Sequence, residues 1–178
     1  YGRKPAWLEV EDGRSITFAR YRELVDRLAK GLQQQGIQKG DRIAIVAKNS
    51  LEYFLVFGAA AALGAIALPV NWRLSAEEVG FVLKDGGPRI VFADQEYQEL
   101  GKGLKDELRS VERYFSLAEK SDEFAAFESL LDNQGDFTPV EVSTDDGFVI
   151  IYTAAVAGRP RGALLSHGNV LCADMHFA

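Results

Sequence analysis

With 178 residues, 47% of them apolar and 26% charged, the chain has the composition of a soluble globular protein. It is long enough for one well-buried α/β unit and too short for two ordinary domains. A net charge of −6 argues against nucleic acid or an anionic membrane surface as the main partner, and the lone Cys172 excludes an internal disulfide.

A single cysteine suits a reducing compartment, so a cytoplasmic protein is expected. The first residues, YGRKPAWLEV, are basic but lack the apolar core of a signal peptide. Two histidines and one cysteine, without CxxC or HExxH spacing, do not suit a structural zinc site.

In chain order, Leu8–Val10 and Ser15–Ile16 read as short strands around an Asp12-Gly13 turn. Thr17 can cap a helix whose apolar stripe is Tyr21, Leu24, Val25, Leu28, Ala29 and Leu32. Gly36 ends it, and Lys39-Gly40 turns into a strand over Arg42–Ala47. Asn49 or Ser50 then opens an alanine-rich helix, Leu51–Leu63, apolar nearly all round and therefore interior.

Gly64 stops that helix before a buried strand, Ala65–Val70. The uncharged stretch Tyr53–Val70 has the minimum length for a membrane span. Its Gly58, Gly64 and Pro69 instead divide it into helix, turn and strand, with no transmembrane segment.

Ser75 and Glu78 form a capping box that starts a helix running to about Asp85. Gly86-Gly87-Pro88 breaks it ahead of a strand, Arg89–Ala93. A polar helical region (Gln95–Ser110), a strand near Tyr114–Leu117 and a short helix (Glu123–Leu131) follow. Residues Asn133–Asp146 read as the loosest stretch and the best linker. Helices alternating with unbroken apolar strands predict an α/β fold: a mostly parallel sheet with helices on both faces, as a single unit over 1–178.

The densest chemical signal is FVIIYTAAVAGRPRGALLSHGNV, Phe148–Val170. An apolar strand leads into a small-residue loop with two arginines, then a second apolar run. Such a loop lets backbone N–H groups approach phosphate oxygens while a cation neutralises them, though the same pattern also fits a plain hairpin. Ser166 reads as the N-cap of a last helix, His167 as structural, and Cys172 as a small buried residue on that helix. Trp7, Trp72 and Phe81 read as core or interface aromatics, Arg73 as a turn residue, Arg159 as solvated, and Asp145-Asp146 as a solvated loop.

The segment YTAAVAGRPRG resembles the phosphate-binding signature of the adenylate-forming (AMP-binding) enzymes, Y-T-S-G-T-T-G-x-P-K-G. The upstream GDR turn, the small-residue helix, the Asn71-Trp72-Arg73-Leu74 stretch and the capping box also resemble that family, in its order. The likeness is greatest to the N-terminal part of fatty-acid acyl-CoA synthetases and implies the N-terminal portion of the large domain of a longer enzyme, inactive alone.

It further implies a carboxylic acid substrate, expected to be a fatty acid, with ATP, Mg2+ and coenzyme A. Position by position, it implies that Thr153, Gly158, Arg161 and Gly162 contact the ATP phosphates. No catalytic residue and no protein metal ligand is expected within the chain.

Where the family has Ser-Gly-Thr-Thr, this chain has Ala154, Ala155, Val156 and Ala157, and Arg161 replaces its lysine. Three hydroxyl donors are thereby absent, each worth about 1.5–3 kcal/mol when bonded to a charged phosphate. A degenerate, non-catalytic homologue serving as a binding or assembly module is therefore the alternative reading. An adenylate-forming sheet cut after its phosphate loop leaves an apolar face and a strand edge uncovered. The isolated chain is accordingly expected to self-associate. Sedimentation across a dilution series checks this, and a monomer at every concentration would refute it.

Overall fold

The computed structural model describes residues 1–117, 122–133, 136–153 and 159–177. A small antiparallel pair, β1 (Pro5–Leu8) and β2 (Ser15–Thr17), precedes a seven-stranded sheet. That sheet comprises β3 (Arg42–Val46), β4 (Ile66–Pro69), β5 (Ile90–Ala93), β6 (Arg113–Ser116), β7 (Ala125–Ala126), β8 (Gly147–Thr153) and β9 (Arg161–Ser166). Its order is β7-β6-β5-β3-β4-β8-β9, parallel throughout except for the final β8–β9 pair.

The central strands are apolar on both faces, and their alternation divides the core in two. Ile43, Ile45, Ala67, Ile90, Phe92 and Phe115 pack with helices α1 (Phe18–Gln34) and α2 (Leu51–Leu63). Ala44, Val46, Leu68, Val91 and Tyr114 face the opposite way, toward α3 (Ala76–Gly86) and the neighbourhood of α4 (Gln95–Leu104). A mostly parallel sheet covered on both faces is the architecture expected from the strand and helix alternation.

Local signals placed the helix ends well. The Thr17 hydroxyl accepts from the Arg20 N–H at 3.3 Å, and the Ser50 hydroxyl accepts from the Tyr53 N–H at 3.1 Å. The Ser75–Glu78 capping box closes in both directions. Gly64 ends α2 at φ +63°, a left-handed conformation that favours glycine. No residue of α2 is exposed, as its all-round apolar character requires. Among the described residues, no helix is long and apolar enough to cross a membrane.

Three elements differ from the sequence reading. Helix α4 ends at Leu104, short of the expected Ser110, as the chain turns to bury Leu108. The first strand lies at Pro5–Leu8, not Leu8–Val10, because Trp7 stacks on Phe54 of α2 with ring centroids 3.9 Å apart. Val10 is left 91% exposed. The helix expected over Glu123–Leu131 is instead the two-residue β7 followed by a 3-10 turn, Phe127–Leu130. Phe124 and Phe127 enter opposite halves of the core, which an α-helical turn, placing i and i+3 on one face, could not achieve.

Residues 134–135 of the expected linker lie outside the described residues. The remainder carries no regular element, but Val140 N–H donates to Ala62 O at 2.9 Å and Lys39 pairs with Asp146 at 2.6 Å.

The helix α1 crosses the 3-10 turn at Gly31, where an added Cβ would overlap the Leu130 carbonyl. Gly31→Ala is expected to lower stability by about 1–3 kcal/mol through overpacking. Gly103→Ala on α4 meets no atom within 4 Å and is expected to gain about 0.5–1 kcal/mol in helix propensity. Urea denaturation midpoints of the two variants check both signs.

Candidate functional site

From β3 the chain crosses to β4 on one side, then returns past β3 to β5 on the other. Helices α2 and α3 therefore leave toward opposite faces, and a crevice opens at the carboxyl ends of the strands, the usual ligand position in open α/β sheets. A cavity of about 980 Å3 lies there. Asn49 after β3, Asn71 and Trp72 after β4, Phe81 of α3, Thr153 at the end of β8, and Arg159 contribute to its wall.

Most charges around this cavity are already engaged. The Glu78 carboxylate accepts from the Ser75 N–H at 2.8 Å, and that bond with the Ser75 hydroxyl holds its pKa below the usual range. Lys84 pairs with Glu107. Arg73 lies over the Trp72 ring at 4.5 Å, and its N–H donates to Asn71 Oδ1, closing the turn expected of it. Arg159 sits with its guanidinium carbon 5.6 Å from the Phe81 ring centre.

The antiparallel pair β8–β9 sets Thr153 opposite Arg161 and Tyr152 opposite Gly162. Directly opposed residues of such a pair point to the same face, so Thr153 and Arg161 stand side by side at the mouth of the hairpin. The Thr153 hydroxyl donates to the Arg161 carbonyl at 3.4 Å, and both residues are exposed. Thr153 lines the cavity, whereas Arg161 and Gly162 do not. Gly158 lies outside the described residues, as do Ala154 to Ala157.

Arg159, read from the sequence as solvated, is exposed and also lines the cavity, whereas sequence reasoning passed over Tyr152. The Tyr152 ring projects to the α3 face, where its hydroxyl donates to Asp85 Oδ2 at 2.5 Å. Burial, reinforced by this carboxylate, pushes the Tyr152 hydroxyl well above the ordinary tyrosine range. Alternation along β8 was a usable signal, since neighbours of Thr153 must face away from it.

After β9, the Ser166 hydroxyl accepts from the Asn169 N–H at 3.2 Å and caps α5 (His167–Phe177). His167 packs on Phe148 with ring centroids 4.9 Å apart, in keeping with a structural role. Cys172 is exposed, not buried. Helix α5 packs inward through Val170, and a residue two positions on is turned about 200° away. Trp72 is 37% exposed at the cavity rim. Asp146 pairs with Lys39 and accepts from the Ser143 N–H at 2.6 Å, as a loop carboxylate does.

This arrangement is that of an α/β protein with a crevice at its strand ends and a strand hairpin beside it. The chain belongs to the AMP-binding enzyme family, whose pattern matches residues 1–177. It is 33% identical over 177 residues to the long-chain-fatty-acid–CoA ligase FadD13 of Mycobacterium tuberculosis, covering 99% of this chain and 34% of that protein.

A provisionally named long-chain-fatty-acid CoA ligase from Rhodopseudomonas palustris superimposes with a TM-score of 0.88 at 43% identity. That match covers 93% of this chain and 42% of the other. ATP-bound MatB of Rhodopseudomonas palustris superimposes with a TM-score of 0.83 at 25% identity, over 97% of this chain and 33% of that one. The chain spans about a third of the length of the curated relatives it matches.

The Tyr152 hydroxyl must be neutral to donate to Asp85. A raised folded-state pKa means that the contribution of this bond to stability is complete below about pH 10, where free tyrosine ionises, and falls as pH rises beyond it. The stability difference between the parent chain and Tyr152→Phe is expected to be constant from pH 7 to 9 and to shrink above pH 10. Denaturant titrations across that range check it.

Proposed function

We propose that this chain is part of the large domain of an acyl-CoA ligase that activates a fatty acid with ATP. The observation that carries the reading is the Thr153–Arg161 pair at the mouth of the β8–β9 hairpin, beside the carboxyl-edge cavity, in a chain of this family.

In the first step a carboxylate oxygen attacks the α-phosphorus of ATP, giving an acyl-adenylate and releasing pyrophosphate. In the second, the thiol of coenzyme A attacks the acyl carbon, loses its proton, and AMP departs. Thr153, Gly158, Arg161 and Gly162 belong to the segment that holds the phosphates. Arg161 supplies charge, and the small residues allow close backbone approach.

Mg2+ accompanies the nucleotide. Among the described residues no cluster of three or more His, Cys, Asp and Glu could hold a metal ion. Its ligands would then be phosphate oxygens and water, which magnesium commonly retains.

A fatty acid is favoured as substrate by the names of FadD13 and the Rhodopseudomonas ligase. A cytoplasmic setting agrees with the lone cysteine. The 178 residues by themselves are proposed to be inactive and to self-associate, Ile151 and Leu164 on the terminal hairpin being 45% and 56% exposed. The alanine-rich run Ala154 to Ala157 favours a second reading, a homologue that has lost nucleotide binding and serves as a binding module.

ATP–pyrophosphate exchange by the complete gene product against a panel of carboxylic acids separates the two readings. Exchange with fatty acids is expected; no Mg-ATP binding at millimolar concentration would sink the ligase reading. Arg161→Ala is expected to weaken Mg-ATP about tenfold to hundredfold, the range for losing a bond to a charged group. Restoring hydroxyls with Ala154→Ser, Val156→Thr and Ala157→Thr is expected to tighten it, as isothermal titration would record.

A further inference from the structure

The pair next to Thr153–Arg161 along the hairpin is Tyr152–Gly162. A Cβ on residue 162 would come 2.9 Å from Ile150 Cγ2 and 3.0 Å from two carbons of the Tyr152 ring. Only a residue without a side chain leaves the ring free to lie across β9. From that seat the hydroxyl reaches Asp85, in the last turn of α3, at 2.5 Å. A carboxylate at a helix C-terminus works against the helix dipole, so α3 itself gives no reason for an acid there. The Tyr152 hydroxyl supplies one, through a charge-assisted bond to this exposed carboxylate.

We infer that Tyr152, seated by Gly162 and anchored on Asp85, is a positioning residue that fixes the nucleotide-binding hairpin against α3 and thereby sets ATP affinity. Tyr152 directly precedes Thr153, and Gly162 directly follows Arg161, so one ring holds both sides of the hairpin mouth. Gly162 thus also serves the phosphate segment by making room for a side chain. The ring also lines the cavity, so its placement shapes the wall next to Thr153. The effect on ATP rests on the ligase reading above; the anchoring itself does not.

The test uses Tyr152→Phe, Asp85→Ala and the double variant in the complete gene product. Each single change is expected to raise KM for Mg-ATP about tenfold, the effect of one bond to a charged group. KM for the carboxylic acid should stay unchanged, and the double variant should be no worse than either single one. Hydrogen exchange should quicken at the β8 and β9 amides and not in β3, β5 and β6. Additive effects, or an equal rise in both KM values together with loss of protection throughout the sheet, would overturn the inference.

If the parent protein binds no ATP, the ligase reading fails while hydrogen exchange still decides the anchoring. Quicker exchange of the hairpin in Tyr152→Phe supports it, and unchanged exchange refutes it.

Discussion

Burial of β3 on both faces is the constraint from which the architecture follows. Ile43 and Ile45 face α1 and α2, while Ala44 and Val46 face α3, and all four are at most 2% exposed. A strand with no polar face must be covered twice, so the chain leaves it by one helix and returns past it by another. That reversal separates α2 from α3 at the carboxyl edge and creates the crevice beside which the β8–β9 hairpin stands. Had β3 carried one polar face, helices on one side would have sufficed and no crevice would lie between them.

The two edges of the sheet use their cations differently. At the amino edge, Arg89 reaches Asp41 at 2.6 Å and Glu112 at 2.8 Å, and its guanidinium is held far above any physiological pH. Arg42 donates to the carbonyls of Gly86 and Gly87, tying the end of α3 to the start of β3. These arginines satisfy helix-end carbonyls and link neighbouring strands. At the carboxyl edge, Arg159 rests on an aromatic ring and Arg161 stands beside a hydroxyl, an arrangement suited to an incoming anion. The carboxyl edge has a structural cation as well, Lys48, which pairs with Glu96 at 2.8 Å.

The β8–β9 hairpin departs from the parallel rule because its strands are joined by a short loop, and only antiparallel strands can be. Among the described residues it sits at the edge of the sheet, β8 joined to β4 through the Ala67–Val149 register and β9 paired with β8. Two side-chain ties add to its strand pairing. The bond from the Thr153 hydroxyl to the Arg161 carbonyl closes its mouth, and the Tyr152–Asp85 bond fastens one face to α3.

Features governed by neighbours along the chain were legible from the residues alone. The caps at Thr17, Ser50 and Ser75, the stop at Gly64, the stripe of α1 and the interior character of α2 each depend on a few consecutive side chains and their own backbone. The family signature was equally legible, and with it the α/β class. Features that depend on distant partners were not. The first strand moved because Trp7 found Phe54, the segment around Phe127 became a 3-10 turn because two phenylalanines enter different halves of the core, and Cys172 faced outward because Val170 faced in.

Within the candidate site, the sequence by itself determined which residue types meet at the hairpin: small residues, a threonine and two arginines. Only the tertiary structure decided that Arg159 turns to the cavity, that Arg161 stands beside Thr153, and that Tyr152 is bound to an acid 67 residues away. The reason is physical: hydrogen bonds between remote segments are set by sheet order and register, and no local pattern encodes which strands become neighbours.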